Sequence, residues 1–179
     1  MKLNAKQLRV RRPTEEELAK IERKPMYLVL DNVLDTYNIG SLFRLADAVA
    51  AREVILCGGT ERPPSSRIHK AAVGTETWVP WKYEPDAVSA LASLKSQIPS
   101  LKIIAVEQDS RAIQLSAISH KLLAGWPVAI VVGHETEGIY EEVLDMAGVI
   151  VEIPMYGINK SLNVHVAAAA VVYKILEGM

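Results

Sequence analysis

Val128-Ala129-Ile130-Val131-Val132-Gly133-His134-Glu135-Thr136-Glu137-Gly138 is the stretch on which the reading of this chain turns. Its first half is apolar without a break and rich in β-branched residues. A strand with one wet face would alternate apolar and polar residues, so this run predicts a strand covered on both faces. Gly133 ends it. Further strands are expected at residues 26–30, 53–57, 77–81, 101–106 and 149–153. Between them the period becomes helical. Leu42, Leu45, Ala46 and Val49 share one face, as do Val164, Ala168, Val171, Val172 and Ile175. Helices are also expected at 67–72, 86–97 and 140–146, and weakly at 112–123. Thr14 and Glu17 form a capping-box pattern for a helix running to about Arg23, before Pro25. The alternation predicts an α/β domain: a mostly parallel sheet with helices on both faces.

The chain has 179 residues, 50% hydrophobic and 23% charged, which suits one domain with a substantial core and argues against disorder. A single cysteine, Cys57, excludes an intrachain disulfide and a multi-cysteine metal site. No apolar run approaches the ~18 residues of a membrane span, and no signal-peptide pattern follows the basic start. A soluble cytoplasmic protein without membrane contact is therefore expected. Residues 1–24 carry eight basic side chains against four acidic ones, while the remainder has 12 against 17. The expected division is a short basic extension with a helix, residues 1–25, ahead of the main domain, residues 26–179. Such an arm suits phosphate contact, with Arg11 and Arg12 as candidates and Arg67 of the main domain as another.

Several common chemistries lack their signatures. No Gly-x-Gly-x-x-Gly follows the first strand. Gly133 and Gly138 have the spacing of a phosphate loop, but Ile139 and Tyr140 stand where lysine and a hydroxyl residue are needed. No Gly-x-Ser-x-Gly or His-Glu-x-x-His occurs, and His69, His120, His134 and His165 lack metal-ligand spacing, so no metal is expected.

Ligands of open parallel sheets bind at the carboxyl ends of the strands. Three stretches there carry unusual residues: 38–44, 133–138 and 153–166. Taken singly, each residue has an ordinary explanation. Asn38 suits a helix N-cap, and Arg44 precedes Asp47 by three residues, the spacing of a surface ion pair. Gly40 costs about 1 kcal/mol relative to alanine within a helix, which close approach of a ligand or a neighbouring backbone would justify. Gly133 suits a turn or a close-approaching ligand, Glu135 a helix N-terminus, and Ser161 the cap of the last helix.

Together the three stretches resemble one family. Asn38-Ile39-Gly40-Ser41-Leu42-Phe43-Arg44 is similar to its Asn-x-Gly-x-x-x-Arg motif, and Gly133-His134-Glu135-Thr136-Glu137-Gly138 to its Gly-x-Glu-x-x-Gly. Ile153-Pro154-Met155-Tyr156-Gly157 with Ser161-Leu162-Asn163-Val164 is similar to Ile-Pro-Met-x-Gly…Ser-Leu-Asn-Val. Ala71-Ala72-Val73-Gly74 and Trp78-Val79-Pro80-Trp81 resemble the middle region. The family is the SpoU (TrmH-like) branch of the SPOUT RNA methyltransferases, and the resemblance covers roughly residues 26–176. It implies a C-terminal trefoil knot, a homodimer, and transfer of a methyl group from S-adenosyl-L-methionine to a ribose 2′-hydroxyl of tRNA or rRNA. It implies Arg44, Asn38, Glu135, Ser161 and Asn163 as catalytic residues. Gly133, Ile153, Met155, Ser161 and Leu162 are implied as cofactor-binding. Arg44 would be a base or, better suited to a guanidinium that stays protonated, a stabiliser of phosphate and developing alkoxide. His165 departs from the pattern, which often has a small polar residue there. Other readings are a catalytically silent knotted RNA-binding module, an RNA base methyltransferase, and an unrelated α/β nucleotide-binding enzyme.

Overall fold

A computed structural model describes residue 7 and residues 12–118 and 127–177. Among these residues seven parallel strands form one sheet: β1 (Lys24–Asp31), β2 (Ala51–Cys57), β3 (Trp81–Glu84), β4 (Lys102–Val106), β5 (Ile113–Gln114), β6 (Val128–Val132) and β7 (Val149–Glu152). Their order is β3-β2-β1-β6-β4-β7-β5. The described helices are α1 (Glu15–Ala19), α2 (Thr36–Ala48), α3 (Ser66–Ala72), α4 (Ala87–Gln97), α5 (Glu141–Met146) and α6 (Val164–Glu177).

Strand alternation divides the core. Val128, Ile130 and Val132 face one apolar layer, while Ala129 and Val131 face the other. β1 does the same with Leu28 and Leu30 against Val29. The first layer is covered by α2, α3 and α6 through Phe43, Ile68, Val171 and Ile175, and the second by α4 and α5 through Leu91, Leu94, Val143 and Leu144. Both faces are dry, which is why the central strands tolerate no polar residue. Among the described residues no helix is long and apolar enough to cross a membrane.

The expected elements hold, with local corrections. Residues 75–77 form a 3₁₀ turn, and β3 begins only at Trp81. There Val73 and Gly74 adopt left-handed backbone, with φ of 56° and 89°, and break the chain before a strand can start. The helix expected from Thr14 has its capping box but stops at Ala19. The start of the weak helix expected at 112–123 is instead a two-residue edge strand, β5, and a 3₁₀ turn at 115–117. Residues 119–123 of that stretch, and Arg11, lie outside the described residues.

Sheet order positions the site. β1, β6, β4 and β7 are consecutive neighbours, all running the same way. The segments that leave their carboxyl ends therefore emerge side by side, although those after β1 and β7 lie 121 residues apart in sequence.

Candidate active site

Gly133 opens the loop after β6, and His134 and Gly138 close it with an antiparallel bridge. A Cβ on Gly133 would lie 2.4 Å from the carbonyl carbon and oxygen of Gly138. The close approach that requires glycine here is therefore the loop's own return, not a ligand. His134 Nδ1 accepts from the backbone N–H groups of Thr136 and Glu137, which fixes the tip.

The loop presents Glu135 to the segment following β1. Its carboxylate accepts from the N–H groups of Leu34 and Asp35, at 3.1 and 3.0 Å, and from Asn38 Nδ2 at 2.9 Å. Burial works to raise its pKa, but the bonds from Asn38, Asp35 and Leu34 together outweigh it and hold the carboxyl below its ordinary value.

Asn38 is 1% exposed and is not a cap: Asp35 caps α2 by accepting from the Tyr37 N–H at 2.9 Å. This frees the Asn38 amide to bridge two elements. Its nitrogen donates to Glu135, and its oxygen meets Nδ1 of His165, in the first turn of α6, at 3.1 Å. The edge of the same imidazole packs against Tyr37, with ring centroids 5.6 Å apart. Burial lowers the His165 pKa from its ordinary 6.5 and the charge of Arg44 lowers it further, while Asp35 acts the other way.

The last helix starts later than Ser161. Asn163 Oδ1 accepts from the His165 N–H at 3.2 Å, so Asn163 makes the capping contact and Ser161 belongs to the preceding loop. There Ser161 and Leu162 join a cavity of about 430 Å³. Val132, Gly133 and Glu135 line it from the β6 side, and Glu152 and Ile153 from the end of β7. Val106, Glu107 and Gln108 close it from β4. The volume lies in the range of small-molecule and cofactor sites. Glu107 accepts from the Ile139 N–H at 3.0 Å, and Gln108 donates to the Lys160 carbonyl, tying the loop after β7 to the end of β4.

The structure thus brings Asn38, Glu135 and Asn163 together around His165, and Gly133, Ile153, Ser161 and Leu162 around the adjacent cavity. Met155, half-buried, lies outside the cavity wall. Arg44 is exposed on α2 and lines no part of it; among the described residues it makes no hydrogen bond or ion pair. Its expected partner Asp47 instead accepts from Trp78 Nε1 at 2.7 Å. Glu107 and Gln108 escaped the sequence reading, although the rule that picked out the other strand ends points equally to the end of β4. Gly40 packs against α3, where a Cβ would fall 2.5 Å from Ala71 Cβ and 2.7 Å from Ala72 N, so backbone approach rather than a ligand explains it.

The family model described as SpoU rRNA Methylase matches residues 25–173. A tRNA (guanosine(18)-2′-O)-methyltransferase of Thermus thermophilus is 29% identical over 164 residues, spanning 92% of this chain and 80% of that protein. The enzyme of the same name from Escherichia coli is 32% identical over 155 residues, spanning 85% of this chain and 63% of that one. The AdoMet-bound rRNA methyltransferase from Sinorhizobium meliloti superposes with a TM-score of 0.74 at 25% identity, covering 95% of this chain and 59% of that one. The chain therefore spans less than two thirds of the length of the latter two.

Proposed function

Because the chain belongs to the SpoU rRNA methylase family, we propose that it is an RNA 2′-O-methyltransferase, moving a methyl group from S-adenosyl-L-methionine to a ribose 2′-hydroxyl of tRNA or rRNA. The observation that carries this reading is the cavity at the ends of β6, β4 and β7, set directly beside the Glu135–Asn38–His165 chain of hydrogen bonds. The T. thermophilus and E. coli relatives named for this reaction, and the AdoMet-bound neighbour, support it.

The cavity residues fit the methyl donor. An adenine ring needs apolar walls, and Val132, Val151, Ile153 and Leu162 provide them. A sulfonium and an amino cation favour carboxylates, and Glu107, Glu135 and Glu152 all line the space. Gly133, Ile153, Ser161 and Leu162 would hold the donor, with Met155 at the outer edge. When bound, S-adenosylmethionine supplies an activated methyl and leaves as a neutral thioether, so no metal is required.

The chain's own residues must align a ribose and manage its proton. Glu135 and Asn38 tie the loop after β6 to the start of α2 and, through His165, to α6, whose first turn Asn163 caps. Arg44, charged and unpaired within the described chain, suits an RNA phosphate and the oxygen charge that develops during transfer. The basic residues of 1–25, and Arg67, exposed on α3, would add phosphate contacts, with affinity falling as salt rises. A second copy of the chain is the expected partner: Val166, Ala170 and Tyr173 lie along one face of α6, and Val166 and Tyr173 are about half exposed. The trefoil knot is part of the same reading, supported by β6 entering between β1 and β4 and β7 between β4 and β5. RNA modification and a single buried thiol, Cys57, suit the cytoplasm.

Incubation with methyl-labelled S-adenosylmethionine and total tRNA or rRNA, then digestion to nucleosides, tests the proposal. Label on ribose is the expected outcome. Label on a base indicates a base methyltransferase, and cofactor binding without label in any RNA indicates a silent binding module; either result overturns it.

A further inference from the structure

The hydrogen-bond chain through Asn38 assigns the protons of His165. The Glu135 carboxylate only accepts, so Asn38 must turn its nitrogen toward it. The amide oxygen then faces His165, and an amide oxygen also only accepts. Nδ1 of His165 therefore carries a hydrogen. In the neutral ring this leaves Nε2 bare, with a lone pair available to take a proton. Tyr37 packs against the ring and Asn38 bonds its Nδ1, so two residues of α2 hold the imidazole.

Resting on the methyltransferase reading above, we propose that His165 is the general base of the reaction, its Nε2 accepting the proton of the ribose 2′-hydroxyl. In that step the 2′-O–H bond breaks and the proton passes to Nε2, giving an imidazolium. The 2′-oxygen forms its bond to the methyl carbon as the carbon–sulfur bond breaks, and sulfur keeps that electron pair. Glu135 and Asn38 are positioning residues that act through the ring.

The charges around His165 suit the role. Burial disfavours the imidazolium at rest, Asp35 partly offsets this, and Arg44 adds to the disfavour, keeping the base free near neutral pH. Glu135 is reached only through the neutral Asn38 amide and fixes the tautomer without contacting the ring. Tyr37 and Arg44 lie seven residues apart on α2, hence on one helix face and about 10 Å apart along it. A nucleotide held by Arg44 would run along the face against which His165 packs. This assignment gives the proton to a group able to take it and leaves the guanidinium its fixed charge.

The test uses the full chain, S-adenosylmethionine and the RNA it methylates. His165→Gln should lower the single-turnover rate by roughly 10²-fold or more, the scale of a lost general base. Its affinity for S-adenosylmethionine, measured by calorimetry, should stay within about twofold, showing that the cavity is folded. The wild-type rate should fall as pH drops through an apparent pKa below the ordinary 6.5, and the variant should lose that limb. Nitrogen-15 spectra of the histidine rings give a readout independent of activity: at neutral pH His165 should be protonated on Nδ1 and bare on Nε2, and Asn38→Leu should weaken that preference. A variant within about threefold of wild type, an unchanged acid limb, or a hydrogen on Nε2 would each overturn the assignment while leaving the methyltransferase reading intact. A wild-type protein that methylates no ribose overturns that reading and this inference with it.

Discussion

Asn38 and Glu135, 97 residues apart in sequence, meet at 2.9 Å and hold the start of α2 against the loop after β6. Glu135→Ala removes that bond and two backbone bonds to residues 34 and 35. These are partly solvated, so the expected loss is only about 1–2 kcal/mol of stability, measured by denaturant unfolding. The pH dependence follows from the lowered carboxyl pKa: the contribution is complete above the ordinary 4.5 and is lost as pH falls through the lower folded value. Wild type and variant should therefore converge in stability in strong acid. A gap that persists there would mean that the charge is not what holds the two segments.

Gly40→Ala sets two effects against each other. Alanine improves helix propensity by about 1 kcal/mol. Its methyl, however, would press on the α3 backbone at Ala72 N, 2.7 Å away, which cannot swing aside as a side chain can. Overpacking costs about 1–3 kcal/mol and should win, so the variant should melt at lower temperature. A raised melting temperature would show that α2 and α3 have room to part.

Arg44→Ala should leave the fold and the cofactor affinity unchanged, because the side chain is exposed and lines no part of the cavity. Methyl transfer should drop by roughly 10²–10³-fold, the scale of a lost electrostatic stabiliser. The logarithmic salt dependence of RNA binding should become shallower by about one unit if a phosphate contact is lost. Titrations at several salt concentrations, alongside single-turnover rates, separate the two contributions.

Asp31, at the end of β1, is 1% exposed, and its Oδ2 has no hydrogen-bond partner among the described residues. Burial raises its pKa above the ordinary 3.8, and the Tyr140 N–H and the Asn32 amide only partly offset this. A raised carboxyl pKa means that the ionised form costs stability at neutral pH, and that the cost disappears as pH falls below the unfolded value. Asp31→Asn should accordingly be at least as stable as wild type at pH 7, with the advantage shrinking toward pH 3.8 and below. A destabilised variant at neutral pH would reverse this account.

The strands and most helices were legible because they rest on local pattern. The unbroken apolar run at 128–132 has one stable solution, a doubly covered strand, and the structure puts it beside β1 near the middle of the sheet. Caps were less legible: Asp35 and Asn38 are both good capping residues three positions apart, and the choice between them depends on Glu135 and His165, which only the tertiary fold supplies. β5 is two residues long and owes its strand geometry to β7 rather than to its own sequence. The strand order was equally hidden, since no local signal says that β6 enters between β1 and β4. The site followed the same division. Motif residues identified the segments, but Glu107 and Gln108 became part of it only through the adjacency of β4 to β6 and β7.

The cavity wall and the proposed base lie in one brief span: Ser161 and Leu162 line the cavity, and His165, bonded to Asn38, follows three residues after Leu162. A single inserted or deleted residue there would shift the donor's seat and the proton's destination together. Such a span leaves little freedom for drift, so a change of target nucleotide has to come from the outward surfaces, above all α3 and the face of α2 that carries Tyr37 and Arg44.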